Sequence, residues 1–177
     1  MKTAILFYMA FFISVSSFAQ NTTISTNKLG DLKINLPMDS VNIYIDKKIK
    51  LQPIKEDYGY DTVDVMYKTM PLRLVIEKNT VTDDKGKSTG FKYSIYSIYS
   101  TNKAIKTKSG IQLGDNKFDI IKKIDGSYIK ISPDFNHDND KRYSMMVLSD
   151  YDSGNKLTFY FLDNTLYAME CSIEEGD

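Results

Sequence analysis

The run Leu157-Thr158-Phe159-Tyr160-Phe161-Leu162-Asp163-Asn164-Thr165-Leu166-Tyr167-Ala168-Met169-Glu170-Cys171-Ser172-Ile173 decides the fold class. Leu157, Phe159 and Phe161 alternate with Thr158 and Tyr160. Beyond Asp163-Asn164-Thr165 the odd positions Tyr167, Met169 and Cys171 are apolar or aromatic, while Ala168, Glu170 and Ser172 are small or polar. A period of two on both sides of a polar turn is the pattern of two antiparallel strands, each burying one face. A three-residue loop pairs Leu162 with Leu166 and sets Leu157, Phe159 and Phe161 on the same face as Tyr167, Met169 and Cys171. A two-residue loop sets that face against Glu170, so the patterning predicts the longer loop. The same alternation makes Cys171, the lone cysteine, a buried core residue.

Upstream, Val63, Val65 and Tyr67, then Leu72, Leu74 and Ile76, then Phe91, Tyr93 and Ile95 repeat the alternation. Between the last two runs, Thr82 to Gly90 is polar and carries two glycines, which predicts a long exposed hairpin loop. Strands over Tyr128 to Ser132 and Tyr143 to Ser149 flank a polar tip opened by Pro133. Helical signals are few. The clearest covers 116 to 124, with Asn116 as cap, Phe118, Ile121 and Ile124 at a spacing of three, Ile120 and Ile124 at four, and Gly126 as a left-handed stop. The expected fold class is therefore α+β, an antiparallel sheet with a few short helices.

The stretch Ile34 to Ile45 has the layout of Ile111 to Lys122. Laid together, Leu36 meets Leu113, Pro37 meets Gly114, Asp39 meets the Asn116 cap, Val41 meets Phe118 and Ile43 meets Ile120. Tyr96 to Ile105 and Phe159 to Met169 repeat a strand, polar turn, strand order. These echoes predict two tandem units, 20–106 and 107–177, each a short strand, a capped helix and an antiparallel sheet.

The segment Ser109-Gly110-Ile111-Gln112-Leu113-Gly114-Asp115-Asn116-Lys117-Phe118-Asp119-Ile120-Ile121-Lys122-Lys123-Ile124 resembles the strand-turn-helix opening of beta-lactamase-inhibitor-protein-like and SmpA-OmlA-like exported bacterial domains. The closing hairpin, Phe-x-Phe, turn, Leu-x-x-Met, is similar to the strands that complete such units. The resemblance implies a binding module of the bacterial envelope with protein partners, and it carries no catalytic residues over.

Residues 1–19 read as an export signal: Lys2 is the positive start, Ala4 to Ile13 an apolar run, and Ser17-Phe18-Ala19 the small-residue cleavage site. The run is shorter than the ~20 residues a membrane span needs, so no stable membrane anchor is expected after cleavage. The expected location is periplasmic or secreted. The 23 basic and 23 acidic residues cancel, and only Arg73 and Arg142 supply guanidinium forks, which argues against nucleic acid. The neutral total conceals an asymmetry: 14 basic against 10 acidic residues over 20–106, and 8 against 13 over 107–177. One His and one Cys exclude His-pair metal sites, Cys-rich zinc sites and a disulfide framework. No catalytic set is evident, and the chain is read as a non-enzyme.

Two candidate sites remain. Twelve of the 13 tyrosines lie beyond the signal segment, and tyrosine is favoured at interfaces for its rigid body and polar tip. Strict alternation places Tyr96 and Ile98 opposite Phe91, Tyr93 and Ile95; with Tyr58 and Tyr60 they form the expected partner-binding surface, inhibitor-like or immunity-like in style. The second site is Asp134, Asn136, Asp138 and Asp140, whose oxygens at every second position match the first half of a calcium loop. Asn139 stands where such a loop has its glycine, and Met145 where it has its bidentate Glu. The alternative function on this basis is a Ca²⁺-binding structural or carbohydrate-handling envelope protein; the leading reading needs no cofactor.

Overall fold

The alternating segments form strands and the 116–124 segment a helix, in the order β1 (Thr22–Ser25), β2 (Lys28–Leu29), β3 (Leu32–Lys33), α1 (Met38–Tyr44), β4 (Gly59–Tyr67), β5 (Met70–Thr82), β6 (Ser88–Ser100), β7 (Ile105–Thr107), α2 (Lys117–Lys123), β8 (Ile129–Pro133), β9 (Tyr143–Asp150), β10 (Asn155–Leu162) and β11 (Thr165–Ile173). The computed structural model describes residues 22–51, 58–124, 128–137 and 140–174. The expected export signal over 1–19, the expected stop at Gly126 and Asp138 of the expected calcium loop lie outside the described residues. A seven-stranded sheet runs β4-β5-β6-β11-β10-β9-β8, every pairing antiparallel, and a four-stranded sheet runs β3-β2-β1-β7, with β1 and β7 parallel. With two short α-helices among the described residues, this is an α+β arrangement dominated by antiparallel sheet. Among the described residues no helix is long and apolar enough to cross a membrane.

One face of the large sheet is the core. Register sets Val63, Leu74, Ile98, Cys171, Leu157, Leu148 and Ile129 in one row across all seven strands. Val41 of α1, Ile120 of α2, and Ile24, Leu29, Leu32 and Ile105 of the small sheet join the same cluster, so the helices and the small sheet pack on that face. Burying a side chain such as Leu74, Ile98 or Phe159, each 0% exposed, stabilises by about 1.5–3 kcal/mol. Cys171 is 0% exposed, and burial pushes its thiol well above the ordinary range.

The closing hairpin sets Leu157 against Cys171 and Phe159 against Met169 as expected, but by another route, and it turns Tyr167, expected on that core face, to the opposite side. Its loop has two residues, Asp163 and Asn164, both left-handed at φ 50° and 64°, and Leu162 pairs with Thr165. The twist of such a turn matches that of the strands it joins. Phe161 then faces Leu166, and Tyr167 is an extra residue, after which Tyr160 faces Ala168, Phe159 faces Met169 and Leu157 faces Cys171. The bulge at Tyr167 absorbs the residue that the sequence reading gave to the loop. Tyr96 is the same kind of insertion in β6, where Ile95 faces Ile76 and Ser97 faces Val75. The loop expected over 82–90 is also shorter, 83–87, because Asp83 Oδ1 accepts from the Lys85 and Lys87 amides at 2.9 Å and tightens the turn.

Both pre-helix segments are clamped to the large sheet alike. Asn35 N donates to Ile95 O and Ile95 N to Leu36 O; Gly114 N donates to Leu166 O and Leu166 N to Asp115 O. Asn35 and Gly114 are both left-handed, at φ 65° and 94°. Ile95 and Leu166 each directly precede a bulged tyrosine. This correspondence pairs Pro37 with Asn116 at the two helix caps, and Val41 with Ile120, both 0% exposed. The sequence overlay was therefore two residues out: Asp39 lies inside the first turn of α1 and caps nothing, and Phe118 is 59% exposed. Tyr96 to Ser100 likewise corresponds to β11, and the strand following it, β7, belongs to the small sheet.

Candidate functional site

The face of the large sheet turned away from both helices carries the aromatic residues. Along β4, Val63, Val65 and Tyr67 turn inward while Tyr60, Thr62, Asp64 and Met66 point outward and are exposed. The outward row in register with Asp64 is Arg73, Tyr99, Glu170, Thr158, Val147 and Lys130, one residue from each further strand. Two aromatic groups stand on this surface. At the β4 end, Tyr58 and Tyr60 are 52% and 40% exposed, hydrogen-bonded through their hydroxyls, with ring centroids 5.3 Å apart; Tyr60 lies 4.8 Å from Tyr96, edge to face. Towards the other end, Tyr99 contacts Tyr160 at 5.9 Å, Tyr160 contacts Tyr167 at 6.3 Å, Tyr167 contacts Tyr143 at 6.1 Å, and His137 stacks on Tyr143 at 3.7 Å.

The bulges aim these rings. A bulged residue leaves the ladder, so Tyr96 and Tyr167 each crowd onto the outer face beside the next outward position. Polar groups then hold the rings still. Tyr160 donates to Glu170 Oε2 at 2.5 Å, and burial, then Glu170, hold its hydroxyl protonated well beyond the usual tyrosine range. Tyr167 donates to Asp134 Oδ2 at 3.3 Å and is raised by burial, then by Asp134. Burial and Glu170 also raise Tyr99. At the rim, Arg73 Nε donates to Asp64 Oδ1 at 2.9 Å and holds that carboxyl below the ordinary aspartate value. Such a surface offers rigid aromatic area, with Glu170 and the buried Asp134 accepting from its hydroxyls and no Lys or Arg paired to either carboxylate among the described residues.

Of the four residues expected at a partner surface, Tyr58, Tyr60 and Tyr96 come together. Ile98 does not: it is 0% exposed in the core row beside Cys171. The extra residue at Tyr96 reverses the parity of everything after it, so Ile95 and Ile98 both point inward. The rest of the aromatic face was not read from the sequence: Tyr99, Tyr160, Tyr143 and His137 were not assigned to it, and Tyr167 was expected on the core face. Tyr160, lying between the inward Phe159 and Phe161, was the signal that could have found it.

Of the four expected calcium ligands, Asp138 lies outside the described residues, and Asp134 and Asp140 have protein partners. Asp134 is 4% exposed; its Oδ1 accepts from Asn136 N at 3.1 Å and its Oδ2 from His137 Nδ1 at 3.0 Å and Tyr167. Asp140 is gripped by Arg142, at 2.7 Å to Nη2, which lowers its carboxyl below the ordinary value. Asn136 sits in a single 3-10 turn, Phe135–His137. Among the described residues no group of three or more His, Cys, Asp or Glu side chains is placed to hold a metal ion.

Compared with known proteins, the chain matches no family model, no curated protein and no solved structure.

Proposed function

We propose that this chain is an exported, non-catalytic protein-binding module of the bacterial envelope, inhibitor-like or immunity-like, which docks a partner protein on its tyrosine-bearing sheet face. The observation that carries the reading is the bare face itself. Helices and small sheet pack on the opposite side, while tyrosines from β4, β6, β9, β10 and β11 stand on this one, immobilised by one another and by Glu170 and Asp134. Preformed aromatic area loses little side-chain entropy on binding, and interface hot spots are enriched in tyrosine. We further propose that the two halves, 20–106 and 107–177, are related tandem units. The matching helix clamps, left-handed residues and bulged tyrosines support this.

The test is a pull-down from envelope extract with the mature protein, beside Tyr60→Ser/Tyr99→Ser and, on the helix side, Phe118→Ser. A partner retained by wild type and Phe118→Ser but lost with the tyrosine pair is the expected result, because hot-spot truncations cost about 2 kcal/mol or more each. Recovery of no partner at low salt, or equal recovery by both variants, rejects the reading. A melt in millimolar Ca²⁺ tests the alternative, and no shift in Tm is expected.

A further inference from the structure

We propose that the partner docked on the tyrosine face lays an arginine side chain across Tyr99 and Tyr160, with its guanidinium against Glu170. This deepens the docking reading above and rests on it. The strands that carry the site, β6, β10 and β11, are described throughout. In β11, Glu170 stands opposite Tyr99 of β6 on one side and Thr158 of β10 on the other. The Tyr99 and Tyr160 rings lie 5.9 Å apart, inclined at 64°; both are half-buried, as is Glu170. Among the described residues the Glu170 side chain accepts one hydrogen bond, from the Tyr160 hydroxyl to Oε2, which leaves Oε1 open to a donor.

The charge at this place is unbalanced. Asp134 adds a second, buried carboxylate, already engaged by Asn136 N, His137 and Tyr167. The cations of the same face serve neither carboxylate. Arg73, beside Tyr99, is held by Asp64, while Lys156, opposite Ser172, and Lys130, opposite Val147, form no ion pair among the described residues. Burial first, then Glu170 and, further down, Asp134, raise the Tyr99 and Tyr160 hydroxyls. A carboxylate half out of water without a counter-ion is unfavourable, and a cation brought by the partner removes that cost. Of the two cationic side chains, arginine suits the patch. Its flat guanidinium stacks on aromatic rings, forks onto a carboxylate and is more weakly hydrated than an ammonium. Ser97, on the same face two residues before Tyr99, is 1% exposed, and its Oγ lacks a hydrogen-bond partner. A buried hydroxyl in that state calls for a partner, and a group with five donors can serve it along with Glu170.

The test titrates the mature protein with a capped glycine-arginine-glycine peptide and with its lysine and citrulline counterparts, following amide and tyrosine-ring NMR shifts. The arginine peptide is expected to give saturable shifts centred on Tyr99, Tyr160 and Glu170. The lysine peptide is expected to bind about threefold more weakly or worse, and the neutral citrulline peptide not at all. Glu170→Gln removes the charge but keeps an acceptor for the Tyr160 hydroxyl; it is expected to weaken the arginine peptide about tenfold or more with Tm held. Tyr99→Leu keeps apolar bulk without the ring and is expected to weaken it about threefold. Equal binding of the arginine and lysine peptides, arginine binding that survives Glu170→Gln, or shifts spread over other exposed carboxylates overturns the proposal. The pull-down separates it from the reading beneath it. A partner lost with Tyr60→Ser/Tyr99→Ser but kept by Glu170→Gln leaves the docking face standing and overturns the arginine contact; a partner lost with both supports the two together.

Discussion

Gly30 turns the chain at φ 58° where the buried Tyr67 hydroxyl arrives. That hydroxyl donates to Asp31 Oδ2 at 2.8 Å and accepts from Asp31 N at 3.0 Å, so one ring seals the tight turn between β2 and β3. A Cβ on Gly30 would stand 2.3 Å from the hydroxyl oxygen, inside any permitted contact. Gly30→Ala is therefore expected to destabilise by about 1–3 kcal/mol, from left-handed strain and displacement of Tyr67 together. Urea unfolding measures it, and a loss below about 0.5 kcal/mol would show that the Tyr67 contact yields freely.

At the scale of elements, the two helices make a matched pair with unequal caps. Asn116 Oδ1 accepts from Phe118 N at 3.0 Å, whereas Pro37, at the corresponding place before α1, offers no side-chain acceptor. Asn116→Ala is expected to cost about 1 kcal/mol, and Asp39→Ala only a few tenths, since Asp39 contributes through the helix dipole alone. Equal losses in parallel thermal melts would contradict the assignment of caps. Strand identity was legible because alternation is forced wherever one face is dry, as at Leu72, Leu74 and Ile76. The bulges were not. A single inserted residue leaves no compositional mark, and nothing in the residues that flank Tyr96 or Tyr167 announces one. That one hidden residue is why Tyr96 was placed correctly and Ile98, two positions on, was not. In α2 the competing spacings of three and four were both visible in the sequence. Packing selected four, burying Ile120 and leaving Phe118 and Ile121 at the surface.

Over the whole molecule, several carboxylates are held below the ordinary aspartate value of 3.8 by separate partners: Asp31 by Lys68 and Tyr67, Asp64 by Arg73, and Asp140 by Arg142. A lowered folded-state value means that the unfolded chain binds more protons in the intervening range. The stability these pairs contribute is present above the unfolded value and is lost as pH falls through the lowered ones. Tm is expected to hold from pH 6 to about 4.5 and to fall below about 4, with Asp31→Asn showing a shallower acid limb. A wild-type Tm unchanged down to pH 2.5 would mean that these surface pairs, largely screened by solvent, contribute nothing measurable.

The seam between the halves of the large sheet is the pairing of β6 with β11, registered from Ser97 with Ser172 to Ser100 with Met169. Among the described strands of the large sheet β11 comes last in sequence order, and it lies among the inner strands. Synthesis therefore delivers the middle of the sheet last. Until residues 165–173 have left the ribosome, β6 has no neighbour on one side and β10 lacks its hairpin partner, so an emerging chain holds two unfinished sheet fragments. The large sheet therefore closes in one late step, when β11 fills the seam, rather than strand by strand as the chain emerges.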